Sequence, residues 1–317
     1  MAFVHLHTHS SSSPMWGVPT VETLCHAVKE QGQEFLALTD TNGLYGAIRF
    51  LEVAREHGLK PIIGAELVSG QHRTVLLAKN PTGYANLCRI LSARHCEASF
   101  EFIETVALNR TGLVLLSDDP VSVTAWQAES EADLYVELTP GPALPDAVAL
   151  SRRLKLPPVA TTRAAFLRPA DYQAHRLLRA IAENTTLSRL KADHCALPSH
   201  WLMSEPVLAR HLPHVPQALA NTRRIAEQCH TKWDFKQTIF PSFRQLSSVA
   251  AFETLHRKTY EGAIWRYETL SPAVRERIEK ELTVIRDKGY ADYFLVVDEI
   301  VRQAPRTCGR GSAAASI

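Results

Sequence analysis

The feature that most constrains the fold is an alternation of short apolar runs with amphipathic helical stretches over the first two-thirds of the chain. Apolar runs that predict buried strands occur at residues 35–39, 61–64, 74–78, 112–116, 134–138 and 158–161. Amphipathic stretches that predict helices occur at residues 21–31, 45–57, 84–93 and 143–154. This alternation favours parallel strands, so the sequence predicts an α/β barrel or an open α/β sheet. We expect the barrel, because the candidate site residues follow the ends of strands.

Length and charge limit the possible functions. The chain has 317 residues, enough for one large or two ordinary domains, and 45% of them are hydrophobic, which supports a buried core. Its 35 basic residues nearly balance 33 acidic residues, which gives a net charge of +2. This balance argues against a strongly basic nucleic-acid-binding protein, so any contact with DNA must be local.

Cysteine usage and the start of the sequence indicate a cytoplasmic protein. The six cysteines form no Cys-x-x-Cys pair, and we interpret them as reduced thiols. Residues 1–5 lack the basic and apolar segments of a signal peptide, and no run approaches the roughly 18 apolar residues of a membrane span. We therefore expect no membrane partner.

The last third of the chain is predicted to be helical. Between residues 171 and 237, strand patterns give way to helical or irregular sequence. Ser271 and Pro272 supply an N-cap and a first-turn proline, and the helical apolar spacing that follows ends at Gly289. A second helix is expected over residues 293–303.

Near the end of the sequence, Gly309, Arg310, Gly311 and Ser312 form a loop of small residues around one arginine. Glycine lets backbone N–H groups face an anion, serine donates a hydroxyl, and arginine supplies a fork of donors that fits phosphate. These four residues predict a site for the triphosphate of a nucleotide.

A histidine motif lies at the other end of the sequence. His5, His7 and His9 alternate with other residues, and in an extended strand their imidazoles point to one face. They can then converge on a metal ion. The alternative is the end of a strand whose histidines are simply solvated.

The order of the motifs resembles a known family. The histidines, followed by Ala-Leu-Thr-Asp-Thr-Asn-Gly at 37–43 and Ile-Gly-Ala-Glu at 63–66, are similar to the polymerase and histidinol phosphatase (PHP) domain, a distorted β/α barrel. Gly-Tyr-Ala-Asp-Tyr-Phe-Leu-Val-Val at 289–297 and Cys-Gly-Arg-Gly-Ser-Ala-Ala at 308–314 resemble the start of the palm in bacterial C-family DNA polymerases. In that family a PHP domain precedes the palm.

The resemblance implies a division into two domains. Residues 1–240 would form the PHP domain, with the barrel at about 1–170 and a helical extension at about 171–240. Residues 241–317 would form the truncated N-terminal part of a palm similar to polymerase beta-type nucleotidyltransferases.

Active PHP domains bind two or three metals, and this chain departs from their ligand pattern. Carried over by position, His7, His9 and Glu66 match family ligands. Other residues occupy four expected ligand positions: Trp16, Thr41, Arg163 and Ala165. Because an arginine and a tryptophan replace carboxylates, two-metal phosphoester cleavage is not supported. A one-metal site stays open, and without metals we expect Arg163 to pair with Glu66 or Asp40.

As a function, the resemblance implies part of a DNA-directed DNA polymerase, a nucleotidyltransferase of DNA replication or lesion-tolerant synthesis. Its partners would be primer-template DNA, deoxynucleotides and replisome subunits, including a proofreading exonuclease docked on the barrel. Full-length polymerases use Mg²⁺ on an Asp triad outside these residues, so we expect no catalytic residue and no tightly bound cofactor here. The alternative is a metal-dependent PHP phosphoesterase or 3′-5′ exonuclease. The parent polymerase could be the main replicase or an error-prone paralogue, and the replaced metal ligands weakly favour the paralogue.

Two other features have simpler interpretations. Asp118 and Asp119 follow an apolar run and precede Pro120, which predicts an exposed turn. His175 lies in a helical pattern and is interpreted as a surface or half-buried residue.

Overall fold

The computed structural model describes residues 3–229, 231, 233, 235 and 241–304. The chain divides into two compact units, Met1–Trp233 and Asp234–Ile317. None of the described helices is both long and apolar enough to cross a membrane.

All six predicted strands are present in the first unit; the second extends five residues beyond its predicted end, and the other strand ends shift by at most two residues. They are β1 (Phe35–Leu38), β2 (Lys60–Ser69), β3 (His72–Ala78), β4 (Leu113–Ser117), β5 (Leu134–Leu138) and β6 (Pro158–Ala160). They form one sheet in which the spatial order of the strands equals their order in the sequence. This order is the simplest one for a sheet that curls into a barrel.

The strands are not uniformly parallel, which corrects the expectation from the sequence. β1–β2, β4–β5 and β5–β6 are parallel, but β3 is antiparallel to both β2 and β4. The connection from Ser69 to His72 contains only Gly70 and Gln71, and Gly70 adopts a φ of +60°. Because a parallel crossover needs a dozen or more residues, so short a loop makes a hairpin.

The N-terminal segment, residues 3–9, closes the barrel. On one side the Ala37 amide donates to the His5 carbonyl at 3.0 Å. On the other side the Ala164 amide donates to the His7 carbonyl at 3.1 Å, and the His9 amide donates to the Ala164 carbonyl at 2.8 Å. The segment therefore lies between β1 and the chain that follows β6, and the predicted barrel is confirmed.

Helices cover the outside of the sheet. They are α1 (Val21–Glu30), α2 (Ala47–Glu56), α3 (Pro81–Cys96), α4 (Phe102–Leu108), α5 (Pro120–Glu129) and α6 (Leu144–Leu154). The four predicted helices are confirmed, and α4 and α5 were not predicted. Asp119, interpreted from the sequence as part of an exposed turn, is the N-cap of α5 and accepts from the Val121 amide.

The core has one layer on each face of the sheet. In β4, Leu113 and Leu115 pack in the cluster that contains α3 and α5, whereas Val114 and Leu116 pack in a second cluster with Ile225 and Ala226. This alternation follows from the two-residue period of a strand. The chain after β6 continues through α7 (Tyr172–Ala182), α8 (Glu205–His211) and α9 (Gln217–Gln228).

The described part of the second unit consists mainly of helices. It contains α10 (Ser248–Tyr267), α11 (Pro272–Lys288) and α12 (Ala291–Gln303) around a core with Leu255, Leu282 and Leu295. Ser271 caps α11 by accepting from the Val274 amide, and Gly289 ends it with a φ of +70°, as the sequence predicts. The assignment of this unit to a palm stays a prediction. The predicted triphosphate loop, Gly309 to Ser312, lies outside the described residues.

Candidate functional site at one end of the barrel

The three residues predicted to bind metal come together at one end of the barrel. His7 and His9 lie on the N-terminal segment and Glu66 lies on β2, and all three side chains are buried. Their possible ligand atoms lie within 4.8 Å of one another. The Nε2 atom of His7 is 3.5 Å from one Glu66 oxygen, and the Nε2 atom of His9 is 3.7 Å from the other.

His5, the first histidine of the motif, does not join them. Its ring nitrogens lie 3.2 Å from the hydroxyl of Thr162 and 3.2 Å from the side-chain oxygen of Gln31. Burial lowers the pKa of His5 to about 4, so this imidazole is neutral. The expectation that all three histidines share one face holds for His7 and His9 only.

Glu137 on β5 orients His7 and was not found from the sequence. One Glu137 oxygen lies 2.6 Å from Nδ1 of His7 and also accepts a 2.6 Å hydrogen bond from the Thr161 hydroxyl. Burial lowers the pKa of His7, but the carboxylates of Glu137 and Glu66 outweigh burial and raise it above its ordinary value. The available signal was an acidic residue within an otherwise apolar run, Leu134 to Leu138.

His9 lies among hydroxyl groups. Its Nδ1 atom is 3.2 Å from the Ser13 hydroxyl and 3.4 Å from the Thr41 hydroxyl. Burial lowers the pKa of His9 to about 3, so the ring is neutral near pH 7. Thr41, which replaces an expected ligand, donates to Glu66 at 3.0 Å.

Two arginines approach the same oxygen of Glu66. Nη2 of Arg163 lies 3.4 Å from it, and Nε of Arg73 lies 3.7 Å from it. Arg73 also donates through Nη2 to both oxygens of Asp118, at 2.7 and 2.8 Å. Burial raises the pKa of Glu66, but His7, His9 and Arg163 outweigh burial and hold it well below its ordinary value.

The expected pairing of Arg163 with Glu66 is confirmed, whereas Asp40 has other partners. Asp40 accepts from the Ser10 amide at 2.7 Å and from the Ser13 hydroxyl at 2.7 Å. Burial raises the pKa of Asp40 despite these hydrogen bonds. Asp40 therefore organises the loop after the N-terminal segment and does not neutralise the arginine.

Arg163 adopts an unusual backbone conformation. Its φ is +48°, in the left-handed region that side chains with a Cβ rarely occupy. Such a conformation costs on the order of 1–2 kcal/mol for a residue other than glycine. The neighbouring hydrogen bonds of Ala164 to the N-terminal segment hold the chain in this position.

Trp16 and Ala165, the remaining departures from the ligand pattern, are packed among other side chains. The Trp16 ring meets the His175 ring edge-on with centroids 5.1 Å apart, and Ala165 is fully buried. His175 itself is fully buried, which corrects its interpretation as a surface or half-buried residue. Its Nδ1 atom donates to the Trp16 carbonyl at 2.8 Å, and its Nε2 atom accepts from the Ala196 amide at 2.8 Å.

We name six of these residues the Glu66 cluster: His7, His9, Glu66, Arg73, Glu137 and Arg163. The donor atoms of the cluster do not fit a centre of two or three metals, since the two guanidinium groups are repelled by added cations. A single divalent ion has possible ligands in Nε2 of His7 and of His9, which are buried and have no hydrogen-bond partner among the described residues. Such an ion would have to displace Arg163 from Glu66.

A cleft of about 550 Å³ opens above the Glu66 cluster, and we name it the arginine cleft. Its lining includes three arginines but only one carboxylate. The polar and charged residues of the lining are Thr41, Asn42, Glu66, Gln71, His72, Arg73, Arg163 and Arg179. Arg179 lies over the Trp16 ring, 5.2 Å from its centroid, and donates to the His194 carbonyl at 2.7 Å.

Two family models match separate parts of the chain. Residues 5–139 match the model of the PHP domain, and residues 253–317 match the model of the bacterial DNA polymerase III alpha NTPase domain. The chain is similar to bacterial DNA polymerase III alpha subunits and error-prone DNA polymerases. The resemblance stated from the sequence is thereby confirmed.

Relatives within this polymerase family align over essentially the whole chain. An error-prone DNA polymerase of Symbiobacterium thermophilum is 32% identical over 100% of this chain and 34% of its own length. The DNA polymerase III subunit alpha of Escherichia coli is 30% identical over 99% of this chain and 31% of its own length. The chain thus spans about a third of the length of these relatives.

Two solved structures are similar to about half of the chain. A putative metal-dependent phosphoesterase from Bifidobacterium adolescentis overlaps with 50% of this chain and 86% of its own, with a TM-score of 0.37 and 13% identity. A two-domain protein from Bacteroides vulgatus with a predicted PHP-like metal-dependent phosphoesterase overlaps with 52% of each chain, with a TM-score of 0.39 and 12% identity.

Proposed function

We propose that this chain is part of a DNA-directed DNA polymerase that acts in replication or lesion-tolerant synthesis. The alignment of relatives over the whole chain supports this proposal. In it, residues 1–240 form the PHP domain and residues 241–317 begin the palm. Gly309, Arg310, Gly311 and Ser312 contact the triphosphate of the incoming deoxynucleotide, and Mg²⁺ acts in the palm of the full-length protein. Primer-template DNA and replisome subunits are the proposed partners.

Reading the coding DNA past codon 317 tests the polymerase proposal. We expect the reading frame to continue and to encode an Asp-x-Asp pattern, because a palm needs carboxylates to hold its two metal ions. Primer extension by the polypeptide of the complete reading frame is the second measurement. A stop codon directly after Ile317, or a full-length polypeptide that fails to extend a primer, would contradict the proposal.

We infer further that the barrel is a structural element without metal. The observation that carries this inference is the position of Arg163, whose Nη2 atom lies 3.4 Å from Glu66 in a buried site. A guanidinium group at this position supplies the positive charge that a bound metal would supply. A second cation, Arg73, lies 3.7 Å from the same oxygen and adds to the repulsion that an incoming metal ion meets.

Elemental analysis of the purified protein tests the metal-free barrel. We expect substantially less than one zinc, manganese or iron per chain, and Arg163→Gln should raise the affinity for Mn²⁺ because it removes a competing cation. Arg49→Gln, at an exposed pair with Glu22, is the matched control and should leave metal binding unchanged. One or more metals per chain in the unmodified protein would overturn the inference.

A metal-dependent phosphoesterase is the second candidate, and one observation favours it. Nε2 of His7 and Nε2 of His9 are buried without hydrogen-bond partners among the described residues, as metal ligands would be. If a single metal binds there, hydrolysis of p-nitrophenyl phosphate should depend on Mn²⁺ or Zn²⁺ and should disappear in His9→Ala. Absence of hydrolysis at saturating metal would eliminate this candidate.

A further inference from the structure

We propose that the C-terminal ends of α1 and α2 hold a binding site for a divalent transition-metal ion of the zinc type, formed by His26, Glu30 and His57. We name these three residues the helix-end site. It lies in the layer of helices outside the sheet and uses no residue of the Glu66 cluster. The proposal therefore goes beyond the proposed function and does not depend on it.

His26 and Glu30 supply the first two ligand atoms. They lie one turn apart on α1, and Nε2 of His26 is 3.4 Å from a carboxylate oxygen of Glu30. Two ligand atoms that bind one tetrahedral zinc ion, each about 2.0–2.1 Å from it, lie roughly 3.3 Å apart. The observed separation matches one edge of such a coordination sphere. The side chains are 66% and 67% exposed, so an ion can reach them from solvent.

His57 supplies the third ligand atom from the end of α2. It is the C-cap residue of this helix, and its Nδ1 atom donates to the Val53 carbonyl at 2.9 Å. Because a carbonyl oxygen can only accept, Nδ1 carries the hydrogen, and in the neutral ring the free lone pair is on Nε2. Histidines that bind metals commonly donate their other ring nitrogen in this way. His57 therefore has the tautomer that a metal requires.

The two imidazole rings are neighbours, and a small rotation brings them to one ion. Their centroids lie 6.3 Å apart, with the ring planes at 68°. Two imidazoles that bind one tetrahedral ion through Nε2 have centroids roughly 5–5.5 Å apart, so the gap to close is about 1 Å. Among the described residues, possible ligand atoms that already lie within 4.8 Å of one another are those of His7, His9 and Glu66. The helix-end site thus forms when the exposed side chain of His26 rotates.

The backbone beneath the site is held by packing between α1 and α2. Leu24 and Val28 of α1 share one buried cluster with Phe50 of α2. Nearer the start of the helices, Arg49 of α2 donates to Glu22 of α1 at 2.8 Å. Since the two helices are fixed in this way, ion binding must order only side chains, which lowers its entropic cost.

The electrostatic setting also suits a cation. Each helix end presents carbonyl groups with a partial negative charge of roughly half an electron, and the ends of α1 and α2 adjoin at the contact of His26 with His57. Lys29 opposes an ion, since its Nζ atom lies 3.8 Å from the position that a Cβ at Gly58 would take. Lys29 is exposed, so that water screens its charge. We therefore expect moderate affinity.

Calorimetric titration with zinc chloride tests the proposal on the purified chain after EDTA treatment and dialysis. Zinc should bind with a dissociation constant on the order of 10 μM. His26→Gln and His57→Gln should each weaken binding about tenfold or more, because each removes one of three protein ligands. His211→Gln, at an exposed histidine of α8, is the matched control and should bind like the unmodified chain.

Thermal unfolding provides a second measurement and shows whether the variants are folded. An ion that binds only the folded chain raises its melting temperature. Zinc at about 0.1 mM, ten times the expected dissociation constant, should raise the melting temperature of the first unit by about 2 °C or more. The rise should be lost in both histidine variants. Lys29→Gln should have the opposite effect and tighten zinc binding, because it removes a competing charge.

A variant of the barrel separates this proposal from the metal-free barrel. Zinc binding that is retained in His9→Gln and weakened in His26→Gln and His57→Gln supports the helix-end site and leaves the metal-free barrel intact. Zinc binding that is lost in His9→Gln and unchanged in the other two variants would overturn both. A chain that shows no saturable zinc binding up to on the order of 1 mM would contradict only the helix-end site.

Discussion

Arginine–carboxylate pairs occur in both units of the chain, but their surroundings differ. In the Glu66 cluster the carboxylate of Glu66 is 3% exposed, and two arginines share it with two histidines. On α10 of the second unit, Arg257 donates to Glu261 at 2.8 Å, and both side chains are about 60% exposed. Water screens the exposed Arg257–Glu261 pair. The buried charges around Glu66 are surrounded by protein and are screened much less.

Contact distance is therefore a poor guide to the energetic importance of these pairs. The Arg257–Glu261 pair is shorter than the 3.4 Å contact between Arg163 and Glu66. Yet removing one partner of a buried pair leaves an uncompensated charge, whereas removing one partner of an exposed pair returns the other to water. Four predictions test this contrast, in order of decreasing effect on stability.

Glu66→Gln should produce the largest loss of stability. It leaves Arg163 buried without its paired carboxylate, whereas Arg73 keeps Asp118, and this loss should cost about 3–5 kcal/mol in the free energy of unfolding of the first unit. Urea denaturation measures the effect. Glu261→Gln is the matched control on the exposed pair. A loss below about 1 kcal/mol in Glu66→Gln would remove the contrast between the two pairs.

Glu137→Gln should have the next largest effect. Glu137 accepts from Nδ1 of His7, and a hydrogen bond between charged groups contributes about 1.5–3 kcal/mol. The variant should also lower the pKa of His7, because Glu137 is the carboxylate with the largest effect on it. NMR titration of the His7 ring checks the pKa. Thr161→Val, which removes only a second hydrogen bond to the same oxygen, should cost less.

The third prediction concerns the contribution of buried His200 to the pH dependence of stability. Burial and the charges of Arg163 and His7 lower its pKa to about 2, from an ordinary value of 6.5. Between these values the unfolded chain takes up a proton that the folded chain does not, so stability falls as the pH drops below 6.5. His200 alone should remove about 2 kcal/mol between pH 7 and pH 5.

The variant His200→Asn should lose this part of the pH dependence, because asparagine does not titrate. Its side-chain oxygen can still accept from the Leu197 amide, as Nδ1 of His200 does. Chemical denaturation at a series of pH values is the measurement. His26→Asn is the control, since His26 is 66% exposed. Identical pH profiles for His200→Asn and the unmodified chain would show that the buried histidine does not resist protonation.

Arg257→Gln should have the smallest effect. An exposed pair four residues apart on a helix contributes about 0.3–0.5 kcal/mol, and salt screens it. The free energy of unfolding of the second unit should therefore change by less than about 0.5 kcal/mol. Raising the salt concentration should reduce even this difference. A loss comparable to that of Glu66→Gln would mean that exposure does not separate the two pairs.

The predictable parts of the fold are those with a local signal. Each of the six strands shows a short apolar run, and α11 shows a serine N-cap, a first-turn proline and a C-terminal glycine. The helix α5 was missed although Asp119 and Pro120 have the same capping pattern, because two adjacent aspartates also suit a turn. The signal was present there, and its interpretation was wrong.

The candidate site could be predicted only in part. The spacing of His7 and His9 and the family resemblance through Glu66 named three residues that the structure brings within 4.8 Å. Arg73 and Glu137 lie on strands that are distant in sequence, and no motif connects them with the histidines. Both the metal-free cluster and the alternative with one bound metal remain predictions.

The strands, the capped helices and the family resemblance could be predicted from the sequence alone, because periodicity, caps and ordered motifs are local properties of the chain. The closure of the barrel by residues 3–9 could not be predicted, since their partners Leu36 and Ala164 are distant in sequence and meet them only in the folded chain. The tertiary structure also decided which charges become buried together. Burial depends on how all strands pack around one end of the barrel, and burial is what makes the pairing of Arg163 with Glu66 energetically important.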